Sequence, residues 1–282
     1  MKKIICMALA LVMCLFVFAS CGKDELNFGD EYSPLSGQMD VLMQLNAKSI
    51  DVGIMDSIMA GYYMSQDSTY SNSLMIVDGL ELTTEQYGIG ARKGSGLAKK
   101  INEAIIALAN EGTVETLAEK YGIKSELCID KNATVAPLTD SELEDWNYIV
   151  NQEKFIVGYT LFAPIAYNDS NGKLIGFDIE LAEAVAKKLN LTVEFKAIDW
   201  NSKEALLTAK TIDCIWNGMT ITEERQAAME ISIPYLYNKQ VAVIRQEDKD
   251  KYTTTDSMMN AIIGAEAGSA GEACVVKATD EE

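Results

Sequence analysis

Segments with the pattern of strands and segments with the pattern of helices alternate along most of the chain. The apolar stretch IDVGIM at 50–55 has the length of a buried strand. A helix is predicted over 97–108, where one face would carry Leu97, Ile101, Ala104, Ile105 and Leu108. The alternation continues with a strand, a helix and two further strands at 154–160, 176–190, 191–198 and 211–217. This pattern predicts an α/β fold with largely parallel sheets.

Glycine and short polar residues suggest where the helices begin and end. Ser95 is a candidate cap for the helix at 97–108, and Gly112 a candidate stop. Thr113 and Gly122 are expected to bound the next helix in the same way. Periodicity is lost over 124–139, so this segment is predicted to be a linker.

Composition disfavours several classes of function. The 282 residues include 24 Lys and Arg against 42 Asp and Glu, a net charge of −18, which disfavours binding to nucleic acid. Histidine is absent, which removes the commonest general base and the imidazole metal ligand. Cys128, Cys214 and Cys274 are too widely spaced for a metal knuckle or a disulfide framework. Neither a metal nor a cofactor is therefore predicted.

The N-terminus has the pattern of a secretory signal. Lys2 and Lys3 precede an apolar run at 4–18, which is shorter than the roughly 20 residues of a spanning helix. The sequence FASC that follows resembles the lipobox of bacterial lipoproteins, in which the cysteine carries lipid. We therefore expect a signal peptide at 1–20 and lipidation of Cys21, the alternative being an ordinary signal peptide cut nearby.

Several long motifs resemble one known family. Four segments resemble the first half of the polar amino-acid-binding proteins of ABC importers (bacterial extracellular solute-binding protein family three): VGYTLFAPIAYNDSNGKLIGFDIELAEAVAKKLN, DWNSKEALLTAKTIDCIWNGMTITEERQ, ISIPYLYNKQVAVI and GAEAGSAGE. Two others, IDVGIMDSIMAGYY and EQYGIGARKGSGLAKKINEAIIALANEGTVETLAEKYG, resemble the second half. The resemblance implies a two-lobed periplasmic-binding-protein-like fold of type II, with ligand between the lobes.

The two halves occur in reversed order compared with that family, so the chain is expected to be circularly permuted. Joining residue 282 to about residue 26 would restore the family order, and 124–139 would be the segment that joins the old ends. On this interpretation lobe two comprises 21–87 and 240–282, and lobe one is continuous over 88–239. The hinges would lie near 84–87 and 237–240. A fold survives such a change when the old ends lie close together and the new break is exposed.

The resemblance also implies which residues contact an amino acid. Arg225, in NGMTITEER, would bind the carboxylate with its planar guanidinium, helped by the amides of Thr220 and Ala270. Asp56 would bind the ammonium, helped by the Thr220 hydroxyl and the Gly218 carbonyl. The remaining expected contacts are the aromatic residues that flank the ligand side chain, the residue at its polar end and the loop residue beside Ala270, namely Phe162, Trp200, Asn217 and Ser269.

Each of these residues also has an ordinary interpretation. Arg225 alone fits a solvated surface charge and Asp56 alone a helix cap, while Trp200 and Phe162 alone fit a core. The stretch GSAG departs from the Thr- or Gln-bearing versions that are commoner in the family, which bears on Ser269 and Ala270.

The expected function is that of an extracytoplasmic lipoprotein, held at the membrane by its lipid. It would bind a polar amino acid and deliver it to an ABC transporter permease, without catalysis. The alternatives are a non-transport amino-acid sensor and a carboxylate-dependent dehydratase on the same fold. A domain-swapped dimer is the alternative to closure within one chain.

Overall fold

The computed structural model describes residues 25–66 and 68–277. The expected signal peptide at 1–20 and the expected lipidation site Cys21 lie outside the described residues. Among the helices that the structure describes, none is both long and apolar enough to cross a bilayer.

The described chain contains eleven strands and ten α-helices. The strands are β1 (Glu31–Leu35), β2 (Val52–Asp56), β3 (Leu74–Arg92), β4 (Lys154–Tyr159), β5 (Tyr167–Asn168), β6 (Leu174–Ile175), β7 (Thr192–Ala197), β8 (Cys214–Thr220), β9 (Met229–Ile231), β10 (Leu236–Arg245) and β11 (Ile262–Glu266). The helices are α1 (Gln38–Asn46), α2 (Ser57–Gln66), α3 (Ser68–Ser71), α4 (Leu97–Asn110), α5 (Thr113–Lys120), α6 (Asp140–Asn151), α7 (Phe177–Lys188), α8 (Lys203–Thr208), α9 (Glu223–Ala228) and α10 (Ala270–Val275).

Nine of the strands form one sheet, in the order β1-β11-β2-β10-β3-β8-β4-β7 with β9 beside β3. We call β1, β11 and β2 the terminal half of this sheet, because its strands come from the two ends of the described chain. We call β8, β4 and β7 the central half. Neighbouring strands are parallel within each half. The predicted α/β fold is confirmed.

The long strands β3 and β10 join the two halves and run antiparallel to their neighbours. The sheet is therefore mixed, and the expectation of largely parallel pairing holds only inside each half. The segments expected to be hinges pair with each other: Tyr237 lies opposite Gln86 and Lys239 opposite Thr84. At 19 residues, β3 is a long strand, and it continues through Asp78 and Gly79, a pair typical of turns.

Helices cover the sheet and bury its apolar side chains. The predicted face of α4 is buried along its whole length, from Leu97 to Leu108. A separate hydrophobic cluster is formed by side chains of β2, β10 and β11 and of the segments packed on them. It includes Val52, Ile54, Tyr252, Ile263 and Val275.

The expected helix boundaries are largely right. The Ser95 hydroxyl accepts a hydrogen bond from the Leu97 amide at 3.2 Å, although Gly96 occupies the cap position. The prediction for Thr113 was wrong by one residue: Gly112, with φ of +80°, precedes α5, and Thr113 is its first residue. A threonine at the start of a helix can occupy either position, and sequence alone does not separate them.

The segment 124–139 has one short 3₁₀ turn and otherwise no regular structure, as expected for a connection. It ends at Thr139, which caps α6 through a reciprocal pair of hydrogen bonds with Glu142.

The two ends of the described chain lie side by side. Leu26 and Val276 form an antiparallel bridge. The Asn27 amide donates to the Val275 carbonyl at 2.7 Å, and the Lys277 amide donates to the Glu25 carbonyl at 2.8 Å.

Candidate functional site

A narrow cleft lies between the two halves of the sheet. Parallel strands of both halves direct their carboxyl ends toward it, which is where ligands bind in open α/β sheets. All nine residues that the sequence predicted as ligand contacts line this cleft: Asp56, Phe162, Trp200, Asn217, Gly218, Thr220, Arg225, Ser269 and Ala270.

The cleft has two walls, which we call the terminal wall and the central wall after the half of the sheet that forms each. Two carboxylates lie on the terminal wall. Asp56 is the last residue of β2 and Glu266 the last residue of β11, its parallel neighbour. Gly53 lies opposite Gly264, so the two strands reach the cleft side by side. Gln38, the first residue of α1, also faces this wall.

Four side chains donate hydrogen bonds to the Asp56 carboxylate. Oδ1 accepts from Tyr87 Oη and Gln240 Nε2, both at 2.8 Å, and from Asn238 Nδ2. Oδ2 accepts from Gln38 Nε2. Asp56 is 6% exposed, and burial, reinforced by the charge of Glu85, raises its pKa to about 7.

Glu266 is 5% exposed. Burial and the nearby charge of Asp56 raise its pKa to about 8, while Lys203 and a hydrogen bond with Gln38 act in the opposite direction. The terminal wall therefore holds two carboxyl groups that disfavour each other's ionisation.

The central wall supplies the cations. The hydroxyl of Thr222 accepts from the Arg225 amide at 3.1 Å and begins α9. The Arg225 guanidinium donates to the Thr220 carbonyl through Nη1 at 2.8 Å and to the Gly268 carbonyl through Nη2 at 3.2 Å. Burial lowers the pKa of Arg225.

Lys203 makes a second contact with the terminal half. Its Nζ donates to the same Gly268 carbonyl at 3.1 Å, and lies 4.9 Å from the centre of the Trp200 ring. Burial, followed by repulsion from Arg225, lowers the Lys203 pKa. Both cations thus hold the loop before α10 against the central half.

Two aromatic residues form the apolar surface of the cleft. Phe162 and Trp200 are both buried, and Phe162 packs edge-on against Tyr87 with ring centres 6.4 Å apart. Gly218, with φ of +62°, allows this approach, since a Cβ there would lie 2.6 Å from Phe162 Cε1.

Backbone and amide groups near these rings are partly committed. The Gly218 amide donates to Asp178 Oδ2 at 3.0 Å, so only its carbonyl is available to a ligand. Asn217 Nδ2 donates to Thr160 Oγ1 at 2.8 Å, and Asn217 Oδ1 has no partner among the described residues. The Ser269 hydroxyl caps α10 by accepting from the Glu272 amide at 3.2 Å, with Ala270 following as the first helical residue.

Sequence reasoning missed five residues that line the cleft: Gln38, Thr160, Leu161, Gln240 and Glu266. For Glu266 a signal was present, because it is a lone charged residue at the carboxyl end of the apolar stretch AIIGA. Gln38 and Gln240 had no such signal, since a polar residue at a helix start or within a crossing strand is ordinary.

These features define the class of the site: a small-molecule cleft between two halves of one α/β sheet, with buried groups of both charges on opposite walls. In the part of the chain that the structure describes, no cluster of acidic or cysteine side chains could hold a metal ion.

Comparison with known proteins gives a family match over part of the chain. Residues 155–279 match the family model described as bacterial extracellular solute-binding proteins, family 3. For that part of the chain, the resemblance to a polar amino-acid-binding protein is confirmed.

Individual relatives match over shorter spans. A probable amino-acid ABC transporter-binding protein of Haemophilus influenzae is 40% identical over 87 residues, 31% of this chain and 34% of the relative. A probable histidine-binding protein of Neisseria gonorrhoeae is 34% identical over 116 residues, 41% of this chain and 43% of the relative. The chain thus spans less than half the length of each of these relatives.

Among solved structures, an ABC uptake transporter substrate-binding protein from Streptococcus pneumoniae with bound histidine is 40% identical. The match covers 30% of this chain and 35% of that one, with a TM-score of 0.29.

Proposed function

We propose that the chain binds a polar amino acid in the cleft and delivers it to the permease of an ABC transporter. One observation carries this proposal: the partly buried Arg225 and the buried Asp56, which are of opposite charge, line the same cleft from opposite halves of the sheet. A free amino acid carries a carboxylate and an ammonium on one carbon, and burying it requires a partner for each charge.

In this proposal each wall of the cleft has its own role. Arg225 receives the carboxylate in its planar fork, and the backbone at Thr220 and Ala270 lies beside it. Asp56 receives the ammonium, with the Thr220 hydroxyl and the Gly218 carbonyl as further partners. Phe162 and Trp200 flank the side chain of the ligand. Asn217 would contact a polar group at the end of the ligand side chain, and Ser269 would lie beside the ligand carboxylate.

Ligand binding is coupled to closure of the cleft in this proposal. The two charges of an amino acid are satisfied together only when both walls are in place, so the ligand favours the closed arrangement through differential contacts. The paired segments at 84–87 and 237–240 are where the two halves would pivot.

The circularly permuted order also belongs to the proposal. Its support is the contact between 25–27 and 275–277, which shows that the two ends of the described chain need little added chain to be joined. The proposed boundaries stay at 21–87 and 240–282 for lobe two and at 88–239 for lobe one. A variant with 277 linked to 25 and a new break within 124–139 should fold and bind as the original does. A monomeric mass in solution supports closure within one chain, and a dimer would instead indicate a swap.

Attachment to the outer face of the cell membrane through Cys21 is proposed on sequence grounds alone. Metabolic labelling with a fatty acid should mark the wild-type chain and leave Cys21→Ser unlabelled. Equal labelling of both would contradict the assignment.

A thermal-shift screen with the common amino acids and cystine tests the binding function. A ligand at 100 times its Kd should add about 2.7 kcal/mol to the free energy of unfolding. Mass spectrometry of the ligand after incubation should find it unchanged, whereas a dehydrated product would favour an enzyme. No stabilisation by any member of the panel would contradict the proposed function.

A further inference from the structure

The terminal wall carries more negative charge than one ammonium needs. Asp56 and Glu266 both line the cleft, and Glu85 stands behind them, accepting from Gln240 Nε2 at 2.7 Å. Among the described residues that line the cleft, Arg225 is the one cation that faces Asp56 and Glu266. Lys203 lies beside the cleft, donates to the same Gly268 carbonyl as Arg225 and is paired with Glu204 at 3.2 Å. When Asp56, Glu266 and Arg225 are ionised, the lining of the cleft has one negative charge in excess.

Unpartnered hydrogen-bond acceptors near the cleft also favour a ligand that carries several donor groups. Gln240 is 1% exposed, and its amide group is held in one orientation because Nε2 donates to both Asp56 and Glu85. Its Oε1 therefore faces away from these carboxylates and has no partner among the described residues. Asn217 is 3% exposed, lines the cleft and likewise leaves Oδ1 unpartnered. Buried polar atoms of this kind are normally hydrogen-bonded, so the cleft has acceptors that a donor-rich ligand could use.

Asp56 and Glu266 differ in how they are already occupied. The four donors to Asp56 fix its position and leave it suited to one further donor group. The Glu266 carboxylate is attracted by Lys203, and it shares neither Tyr87 nor Asn238 with Asp56. An additional cation in the cleft would relieve the repulsion between these two carboxylates.

We infer that Glu266 is a specificity-determining residue that pairs with a cationic ligand side chain, so that the bound amino acid is a basic one such as arginine, lysine or ornithine. This inference rests on the proposed function and names the class of its ligand. Asp56 and Arg225 hold the backbone charges that all amino acids share, and Glu266 recognises the charge that only the basic ones carry. A basic amino acid, with one net positive charge, also cancels the excess negative charge of the cleft.

Titration calorimetry with arginine, lysine, ornithine, glutamine, serine and glutamate tests this inference on the wild type and on Glu266→Gln. The wild type should bind the basic amino acids most tightly. Glu266→Gln should weaken their binding by about tenfold or more and change that of glutamine by less than about threefold. Glu204→Gln is a matched control, because Glu204 also lies beside Lys203, at 3.2 Å, but is 43% exposed and does not line the cleft.

The possible outcomes distinguish failure of the inference about Glu266 from failure of the proposed function. Tightest binding of a neutral or acidic amino acid by the wild type overturns the inference and leaves the proposed function standing. An equal loss for every ligand in Glu266→Gln also overturns it, because Glu266 would then serve the shared ammonium. Absence of binding by the wild type to all six ligands and to the wider panel contradicts the proposed function itself. A thermal melt of each variant confirms that it is folded before its affinity is interpreted.

Discussion

The two halves of the sheet contribute opposite charges to the cleft, and the chain builds them in different ways. The central half is continuous in sequence, and its wall carries Arg225 and Lys203. The terminal half is assembled from both ends of the described chain, and its wall carries Asp56 and Glu266. The central wall, which we also call the cationic wall, is thus formed by segments close together in sequence. The terminal wall, which we also call the acidic wall, forms only when β2 and β11, more than two hundred residues apart, lie side by side.

This difference bears on stability as well as on binding. Pairing of segments distant in sequence costs loop-closure entropy before any stabilising contact forms. The terminal half should therefore fold later and open more easily than the central half. Ionisation of the two buried carboxyl groups of the terminal half costs free energy, and a cationic ligand would lower this cost. The acidic wall is therefore the part of the molecule that gains most from ligand.

The largest expected effect concerns the cationic wall. Arg225→Ala should weaken amino-acid binding by about 2–5 kcal/mol, because the buried ligand carboxylate loses its partner. Calorimetry on this variant should be compared with Lys154→Ala, whose ammonium pairs with Glu194 on the surface away from the cleft. Unchanged affinity in Arg225→Ala would remove Arg225 from the site.

A second variant tests how firmly the central wall is supported. Asp178 is buried and accepts from Tyr235 Oη at 2.8 Å and from the Gly218 amide, which lies on the cleft. Asp178→Ala should lower the free energy of unfolding by about 2–4 kcal/mol, since two buried donors lose their acceptor. Urea denaturation against Asp140→Ala, at the exposed start of α6, measures the difference. A loss as small as in the control would show that the two donors find other partners.

The acidic wall should make stability depend on pH. Because the folded-state pKa values of Asp56 and Glu266 are raised to about 7 and about 8, the folded protein binds more protons than the unfolded chain between about pH 4 and pH 8. This contribution is fully present below the unfolded pKa values and is lost as pH rises through the folded ones.

Glu266→Gln should therefore flatten the fall in stability between pH 5 and pH 8.5 by on the order of 1–3 kcal/mol. Urea denaturation of the ligand-free protein at both pH values measures this fall. A parallel loss in wild type and variant would show that Glu266 is not the group that titrates.

The smallest expected effect concerns the order in which the halves open. Amides of β2 and β11 should exchange with solvent roughly tenfold faster than those of β4 and β8, a difference of about 1.4 kcal/mol in opening free energy. Hydrogen exchange followed by mass spectrometry resolves the two sets of peptides. Slower exchange in the terminal half would contradict a cost of assembling it from distant segments.

Sequence patterns predicted some parts of the structure better than others, for physical reasons. Helix α4 was predictable because its apolar residues repeat at helical spacing, and the family motifs brought all nine expected contacts into one cleft. The length of β3 was not predictable, because Asp78 and Gly79, a pair typical of turns, interrupt its apolar pattern. Gln240 joins the site through the pairing of β10 with β2, which lies far away in sequence, and no local pattern in the sequence indicates such pairing.

A cycle that alters both the protein and the ligand tests the central claim most directly, namely that an amino acid bridges the two walls. Calorimetry would measure the tightest-binding amino acid and its α-carboxamide, which lacks the negative charge, on the wild type and on Arg225→Ala. The account predicts that the wild type favours the free acid by about 2 kcal/mol or more and that Arg225→Ala loses most of this preference. An equal preference for the free acid in both proteins would contradict the account.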